Sequence, residues 1–508
     1  MWAPMSPLDR RQFLIRGGTS LAGVLVAGSL AEQMFLASSS RAAGNGNGAA
    51  FPGSLPDDLA TLVADLERKF PYASALYMSQ AGISISRDRN GKRVSEAGFP
   101  SRGVTLRVFD GATFHEAAVG STTPDELRAA AKRLLNDVPV GKAVHRIEPM
   151  PKLTQHWTTP MERDPVTVPL ADRLALVERE FERVSIDDPR VRSLRVATDT
   201  IEVRRVFVDR TRRLSNARTI IQHNVFAFGF DKGKPGFAFV RRNAQGGLEL
   251  AALTDAQVER MRKDFAESFG AEPMQAGTYD VVMAPPVSGL LAHESFGHGV
   301  EMDQFVKERA KAREFLGKKV ASPIVTMLDD PSMAGARGSY PFDDEGMVSE
   351  PTTILENGIF VRPLTDLMSA TWLGTPRTPN GRSQAWDRKV YARMSNTFFA
   401  RGKSEPAELF ESLQDGLYLE GFRNGIEDPQ GWGIQFTAST AREVKGGKFT
   451  GKLFAPVTVT GYVPEILSNV TMVANDFELE PGTCGKGHKE FVPVTSGGPH
   501  IRTRARCS

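Results

Sequence analysis

The stretch that decides how this chain is interpreted is Leu290-Leu-Ala-His293-Glu294-Ser-Phe-Gly297-His298-Gly299. Two histidines five residues apart enclose a glutamate, and the 508 residues contain only eight histidines. On an α-helix, residues four apart lie about 40° from one another around the axis, whereas residues five apart lie about 140° apart. Two imidazoles at this spacing converge only if the helix is rewound between them. We therefore predict a one-residue bulge or a break at Gly297.

The residue types of this motif suit a hydrolytic zinc site. Neutral imidazoles bind the metal, and a neighbouring carboxylate takes a proton from the attacking water. His293 and His298 are therefore the candidate metal ligands, and Glu294 is the candidate general base. The alternative is a buried, hydrogen-bonded pair of histidines in a glycine-rich helix.

A catalytic zinc usually takes a third protein ligand, and Cys484 is the candidate. It lies in Glu480-Pro-Gly-Thr-Cys484-Gly-Lys-Gly-His488, where the flanking glycines predict a tight turn that presents a thiolate. Three alternatives stay open. Cys484 forms a disulfide with Cys507, the other cysteine of the chain; it is simply buried; or His488 contributes to the metal site.

Further polar residues have weaker assignments. Glu301 and Asp303 either orient the histidines as hydrogen-bond acceptors or form a solvated acidic turn. Asp343-Asp344-Glu345 suits a cation site or, more simply, a polar turn. The basic clusters Arg204-Arg205 and Arg210–Arg213 alternate with strand residues, which predicts a solvated sheet face.

Residues 1–43 predict a targeting signal. Arg10-Arg11-Gln-Phe-Leu precedes a weakly apolar run from Gly17 to Ala31, and small residues follow up to Ala43. This order is typical of a twin-arginine signal peptide, so we expect a periplasmic or otherwise exported protein. The apolar run is short and contains glycines, so we expect no stable membrane insertion after cleavage. A disordered basic arm and an uncleaved anchor are the alternatives.

Beyond this signal, residues 44–54 predict a flexible leader and the rest an α+β fold. Residues 55–137 predict an N-terminal helix–strands–helix lobe, with separate strands at 73–78 and 83–87. The first helix of this lobe has apolar residues spaced three and four apart, which form a stripe along one face: Leu59, Leu62, Val63 and Leu66.

The remaining residues predict two further regions. A middle α+β region covers 138–275 and begins with a proline-spotted connector up to residue 168. A large strand-rich C-terminal domain covers 276–508 and carries the metal site. Within its residues 300–508 we expect short strands, glycine turns and one helix, from Pro406 to Leu413.

The composition is that of an ordinary globular protein, 41% hydrophobic and 24% charged, which excludes a polytopic membrane protein. The net charge is +3, and the first 43 residues contribute a surplus of two positive charges, so the rest carries about +1. This charge is too small to indicate nucleic-acid binding, and we expect none.

Several motifs together resemble those of the TldD/PmbA family of bacterial metallopeptidases. The resemblance spans most of residues 55–505, although residues 140–275 match only in organisation. The motifs are His293-Glu294-x-x-Gly297-His298-Gly299-x-Glu301-x-Asp303, Asp343-Asp344-Glu345-Gly346, the Ile354–Ile359 hairpin, Asn380-Gly381-Arg382, Met394-Ser-Asn396-Thr397 and Cys484-Gly-Lys-Gly with Val492-Pro-Val494.

The resemblance implies that His293, His298 and Cys484 bind Zn²⁺ and that Glu294 is the general base. It also implies a peptide substrate, bound in extended form by main-chain hydrogen bonds, and a homodimer or a heterodimer with a PmbA-like subunit. The alternative is a non-hydrolytic peptide-binding or assembly subunit of such a complex. Glu294 argues for hydrolysis, because a structural zinc needs no adjacent base.

Three features depart from the family pattern. The twin-arginine signal is not typical of its cytosolic members, and His488 is additional. The stretch Glu427-Asp-Pro-Gln-Gly-Trp432-Gly also differs from what we expect near a substrate channel. The choice of peptide therefore does not follow from the resemblance.

Overall fold

The computed structural model describes residues 55–98, 100–487 and 489–508. The predicted signal peptide, the flexible leader and His488 lie outside the described residues. The α-helices are α1 (Leu55–Leu66), α2 (Pro124–Asp137), α3 (Leu170–Arg183), α4 (Asp255–Ser268), α5 (Pro285–Phe296), α6 (Asp303–Val306), α7 (Leu367–Leu373), α8 (Pro406–Ser412) and α9 (Val463–Ser468).

Short 3₁₀ turns cover Leu248–Leu250, His298–Val300 and Lys311–Phe315. The strands up to the predicted metallopeptidase region are β1 (Tyr72–Asp88), β2 (Gly91–Glu96), β3 (Ser101–Phe109), β4 (Phe114–Val119), β5 (Leu153–Thr158), β6 (Val191–Asp209), β7 (Arg212–Asp231) and β8 (Lys234–Gln245). The later strands are β9 (Gly277–Met283), β10 (Met327–Asp329), β11 (Thr352–Glu356), β12 (Ile359–Phe360), β13 (Gly381–Arg382), β14 (Tyr391–Ala392), β15 (Asn396–Phe399), β16 (Asp415–Asp428), β17 (Gly433–Lys445), β18 (Lys448–Phe454), β19 (Val457–Tyr462), β20 (Met472–Val473), β21 (Glu478–Lys486), β22 (Lys489–Gly498) and β23 (Ile501–Cys507).

The N-terminal half is built on one large sheet with the order β4-β3-β1-β6-β7-β5, in which β2 pairs with β1 and β8 with β7. Helices α1 and α2 cover it, and the predicted apolar stripe of α1 is buried in the core between them. The sequence thus predicted this lobe because a helix with one apolar face must bury that face on a sheet.

Two predictions for this half are wrong. The separate strands at 73–78 and 83–87 are one strand, β1, because β6 pairs with it continuously from Ser74 to Asp88. The connector predicted for 138–168 contains β5, which pairs in parallel with residues 212–217 of β7. In both places hydrogen bonds to a neighbouring strand, distant in sequence, stabilise a segment without strong local strand character.

The C-terminal half contains two larger sheets. One has the order β12-β11-β10-β15-β22-β21. In the other, β9, β23, β19, β17 and β16 pair in that order, and β16 also pairs with β9, so the pairings close into a ring. Helix α5 packs against strands of both sheets, including β22 and β16, and each of its residues from Val287 to Phe296 is buried. A helix buried on every side has no solvated polar face, and its polar residues, His293 and Glu294 among them, are buried as well.

The expectation of a single helix in residues 300–508 is also wrong. Helix α8 forms as predicted, but α6, α7 and α9 form as well. The Asp366 side chain caps α7 by accepting a hydrogen bond of 2.6 Å from the Ser369 backbone N–H. Such short capped helices leave little periodic signal in a sequence. The predicted α+β class, with an N-terminal helix–strands–helix lobe before a strand-rich C-terminal region, is confirmed.

Candidate metal centre

The helix that carries the motif ends where the sequence predicts a break. Helix α5 stops at Phe296, Gly297 follows with φ −83° and ψ −79°, and His298 begins a 3₁₀ turn. A Cβ atom on Gly297 would lie 2.0 Å from the Met394 sulfur and 2.1 Å from the His293 carbonyl oxygen. Only glycine fits this position. The break turns the two imidazoles toward each other, with ring centroids 5.4 Å apart.

Cys484, on β21, completes a three-residue cluster. One ligand atom each of His293, His298 and Cys484 lies within 4.8 Å of the others. The Cys484 Sγ is 3.1 Å from the His298 Nε2. Both cysteines are free and buried, so the disulfide alternative with Cys507 is wrong.

These three donors fit a zinc ion. Tetrahedral zinc with typical bond lengths separates a nitrogen and a sulfur ligand by about 3.6 Å, which lies between the 3.1 Å contact and the 4.8 Å limit of the cluster. Burial raises the pKa of the Cys484 thiol, but His298, Arg393 and His293 outweigh it and hold that pKa well below its ordinary value. The site therefore favours the thiolate, the form that binds metal.

The pKa values of the two histidines shift upward, in the opposite direction to that of Cys484. Burial alone lowers the pKa of His298, yet the Cys484 sulfur and the Glu301 carboxylate raise it well above its ordinary value. The pKa of His293 is raised for the same reason, chiefly by Cys484 against burial. These opposite pKa shifts favour an imidazolium–thiolate pair in the metal-free site, so we expect metal binding to release protons.

Glu301 orients His298 from the side opposite the thiol. Its Oε2 lies 3.1 Å from the His298 Nδ1, which leaves Nε2 directed at Cys484. Lys486 Nζ lies 3.0 Å from the same oxygen and, with His298, holds the pKa of Glu301 below its ordinary value despite burial. The acceptor role predicted for Glu301 thus agrees with the geometry. Asp303 instead pairs with Lys486 and Lys307, and both acids are fully buried rather than solvated.

Arg393 joins the thiol to this acid. Its Nη2 donates to the Cys484 Sγ at 3.0 Å and to the Cys484 carbonyl oxygen at 2.9 Å, and its Nε donates to the Glu301 Oε1 at 3.3 Å. The side chain is 1% exposed. Sequence reasoning missed Arg393, although it directly precedes the Met394-Ser-Asn396-Thr397 motif. The only signal in the sequence was the position of a charged residue directly beside this motif.

Glu294 lies next to the cluster and is 5% exposed. Burial raises the pKa of its carboxyl, with the two histidines acting against that effect. A Cβ on Gly425 of β16 would lie 2.5 Å from the Glu294 Oε1, so this carboxylate rests against the strand backbone.

The acidic residues 343–345 of the C-terminal half contact arginines of the N-terminal half. Asp343-Asp344-Glu345 forms a turn, as predicted, but the turn is buried. The Asp344 Oδ1 accepts a hydrogen bond of 2.6 Å from Arg205, and Glu345 pairs with Arg107. The solvated face predicted for the basic clusters is therefore wrong for Arg205 and Arg212, which contact this turn.

Comparison with known proteins agrees with the motif and the fold. Residues 276–506 match the model of the PmbA/TldA metallopeptidase C-terminal domain. A metalloprotease of Methanothermobacter thermautotrophicus is 29% identical over 458 residues, which cover 88% of this chain and 97% of the relative. A metalloprotease of Archaeoglobus fulgidus is 31% identical over 349 residues, or 68% of this chain and 79% of the relative.

Two further comparisons extend this result. A zinc metalloprotease TldD homologue of Saccharolobus solfataricus is 31% identical over 236 residues, covering 46% of this chain and 52% of that protein. The crystal structure of a candidate modulator of a DNA gyrase from Thermotoga maritima has a TM-score of 0.71 at 17% identity and covers 90% of this chain and all of that one.

The fold and the site therefore define a protein of the metallopeptidase class. Within that class, the chain belongs to the PmbA/TldD family, as its motifs predicted.

Proposed function

We propose that this protein is a zinc-dependent peptidase that hydrolyses unfolded or extended peptides, with Glu294 as the general base. One observation carries the proposal. A buried carboxyl lies directly beside a cluster of two imidazoles and a thiolate that all lie within 4.8 Å of one another. A structural zinc site would need the ligands but not the neighbouring carboxyl.

His293, His298 and Cys484 would hold the metal. The thiolate character of Cys484 and the relative that bears the name zinc metalloprotease both support zinc. When bound, zinc supplies the Lewis acidity that polarises the peptide carbonyl and makes a water acidic.

Glu294 then has two tasks. Its carboxylate takes the proton of the attacking water and afterwards donates it to the leaving amine. Burial raises the pKa of the Glu294 carboxyl toward neutral pH. A pKa near the working pH makes it easier both to accept the proton of the water and to donate it to the leaving amine.

The neighbouring strand supports an extended substrate. β16 pairs with β9 only at Leu417–Leu419, and from residue 420 to 428 it pairs, among the described strands, with β17 alone. No described strand pairs with its other edge there, and Glu294 contacts the face of the strand at Gly425. A peptide can add to such an edge through main-chain hydrogen bonds, which select an extended shape more than a sequence.

The test combines metal content with cleavage. The chain from residue 44 onward is purified as wild type, Glu294→Gln and Glu356→Gln, the last being an exposed glutamate of β11 that serves as a matched control. Zinc per chain is quantified, and cleavage of an unstructured peptide mixture is followed by mass spectrometry. We expect about one zinc per chain in all three, and a loss of cleavage by about 10²–10⁴-fold in Glu294→Gln alone.

Other outcomes decide against the proposal. Absence of zinc from the wild-type protein would overturn the ligand assignment and the peptidase function with it. Zinc without cleavage in any variant, even with a PmbA-like subunit added, would favour the non-hydrolytic binding or assembly role.

We also propose an assembly of two related subunits, either two copies of this chain or this chain with a PmbA-like partner. The family model carries two protein names, PmbA and TldA, and a crystal structure of TldE from Thermococcus kodakarensis shares the fold, which supports two related kinds of subunit. Light scattering of the purified chain tests it, and a monomer that stays monomeric with the candidate partner would exclude it.

We also propose export to the periplasm through the twin-arginine pathway, which the Arg10-Arg11-Gln-Phe-Leu motif within residues 1–43 supports. Replacing Arg10 and Arg11 by lysines is expected to retain the protein in the cytoplasmic fraction. Among the described residues, none of the helices is both long and apolar enough for a bilayer crossing.

A further inference from the structure

Glu427, at the end of β16, has a carboxyl group that nothing in the described structure satisfies. Both of its oxygens are buried, and neither has a hydrogen-bond partner among the described residues. Buried carboxyls are normally paired or hydrogen-bonded, because burial without a partner costs free energy. A donor from outside the chain would satisfy this group.

The position of Glu427 links it to the metal centre. Gly425 and Glu427 are two residues apart on β16, so they face the same side of the strand and are separated by about 7 Å along it. Glu294 rests against Gly425, as described above. A Cβ on Gly299 would lie 2.2 Å from the Glu427 Oε1, so the carboxyl fills the space that this glycine leaves open beside His298. The carboxyls of Glu294 and Glu427 therefore both lie beside the metal centre, alongside positions of β16 that are two residues apart.

The charges around Glu427 indicate what the missing partner is. Burial raises the pKa of its carboxyl well above the ordinary value, His298 opposes this, and Glu294 and Glu301 add to it. The nearby backbone N–H of Gly299 favours the charged form but makes no well-formed hydrogen bond. No lysine or arginine among the described residues forms an ion pair with Glu427. A cationic group with several N–H donors would supply both the missing charge and the missing hydrogen bonds.

We propose that Glu427 binds the free α-amino group of the peptide substrate and thereby directs cleavage to the amino end of the chain. This inference rests on the peptidase function proposed above. A peptide that pairs with the free edge of β16 runs alongside Glu427 and Gly425, the residue that Glu294 contacts. An extended chain advances about 3.3 Å per residue, so an ammonium group at Glu427 places the first or second peptide bond at Glu294. Release of one or two amino-terminal residues follows from this spacing.

The experiment compares two peptides that differ only at their amino end. One has a free α-amino group and the other is N-acetylated, and both lack lysine. Cleavage by zinc-loaded wild type, Glu427→Gln and Asp428→Asn is measured as kcat/KM. Asp428 is the exposed neighbour on the same strand and controls for the loss of one negative charge. Binding of both peptides is measured separately in a Glu294→Gln background, so that a result does not depend on turnover.

We expect the wild type and Asp428→Asn to favour the free peptide by about tenfold or more, and Glu427→Gln to treat the two peptides nearly alike. The same pattern is expected in the binding measurement. Thermal unfolding checks that Glu427→Gln folds, and we expect no loss of stability because an unpaired buried carboxyl is removed.

Two results would overturn the inference: equal use of both peptides by the wild type, or a preference that survives in Glu427→Gln. Preferential cleavage beside an internal lysine, in a third peptide, would assign Glu427 to a side-chain ammonium instead and would also overturn it. A binding preference that depends on Glu427 in a protein without cleavage would support the inference and remove the peptidase function, so the two failures are distinguishable.

Discussion

The two cysteines of the chain are almost equally buried, yet their environments differ in charge. Cys484 lies on β21 with His298 and the Arg393 guanidinium against its sulfur, and its pKa is held well below the ordinary value. Cys507 lies on β23, where burial alone raises its pKa to about 12. Burial therefore does not make a thiol inert or reactive by itself. The neighbouring cations decide which form it takes.

The largest effect is expected when each thiol is removed in turn. In Cys484→Ser the zinc affinity should fall by about a hundredfold or more, because a thiolate ligand is lost. In Cys507→Ser zinc binding should persist, while stability falls by about 1–3 kcal/mol because a hydroxyl is buried without a good partner. Competition with a chromophoric chelator and urea unfolding measure the two quantities. Equal zinc loss in both variants would contradict the comparison.

The next effect concerns the acid that orients His298. Glu301→Gln should weaken zinc binding by about 10–100-fold, because the acceptor on the Nδ1 of His298 loses its charge. Glu478→Gln, at an exposed position of the same strand as Cys484, is the control and should bind zinc normally. If both variants bind zinc like the wild type, the orienting role of Glu301 is wrong.

Zinc affinity should also depend on pH. Because the pKa of His298 is raised above its ordinary value of 6.5, its proton competes with the metal at pH values below that raised pKa. The affinity should therefore fall as the pH decreases through a window that begins above 6.5, by up to about tenfold per pH unit for each proton displaced. Titrations at several pH values, with chelator constants corrected for pH, measure this slope. A flat profile between pH 6 and 8 would contradict it.

The smallest effect is expected from removing Arg393, which should make the thiol of Cys484 less reactive, as the thiol of Cys507 already is. In metal-free Arg393→Gln, the thiol pKa of Cys484 should rise because one cation is lost, and its alkylation at neutral pH should slow by about threefold to tenfold. Cys507 should react slowly in both proteins. Peptide mass spectrometry after timed iodoacetamide treatment reports both sites in one sample. An unchanged rate at Cys484 would show that the histidines alone set its pKa.

The sequence was informative where one local rule governs the structure. The stripe at Leu59, Leu62 and Val63 predicted a helix on a sheet, because only burial of an apolar face explains that spacing. The five-residue separation of His293 and His298 predicted the break at Gly297, because a regular helix cannot bring the two rings together.

The sequence was less informative where partners are distant along the chain. Arg205 looked like a residue on a solvated strand because its partner, Asp344, is 139 residues away. β5 looked like a connector because the hydrogen bonds that stabilise it come from β7. Glu427 stood out only as the first residue of a stretch that differs from the family pattern. That its carboxyl has no hydrogen-bond partner among the described residues follows only from the folded structure.

The spacing of the metal ligands along the chain has a consequence for the order of folding. Cys484 follows His298 by 186 residues, and the strand next to it, β22, pairs in parallel with β15. Contacts between such distant residues form late, since the intervening loop must close first. We therefore expect the Cys484 thiolate to reach the histidines only after the C-terminal sheets are assembled. In refolding experiments, we expect zinc binding to occur after the recovery of secondary structure. The rate of zinc binding should therefore report the last step of folding.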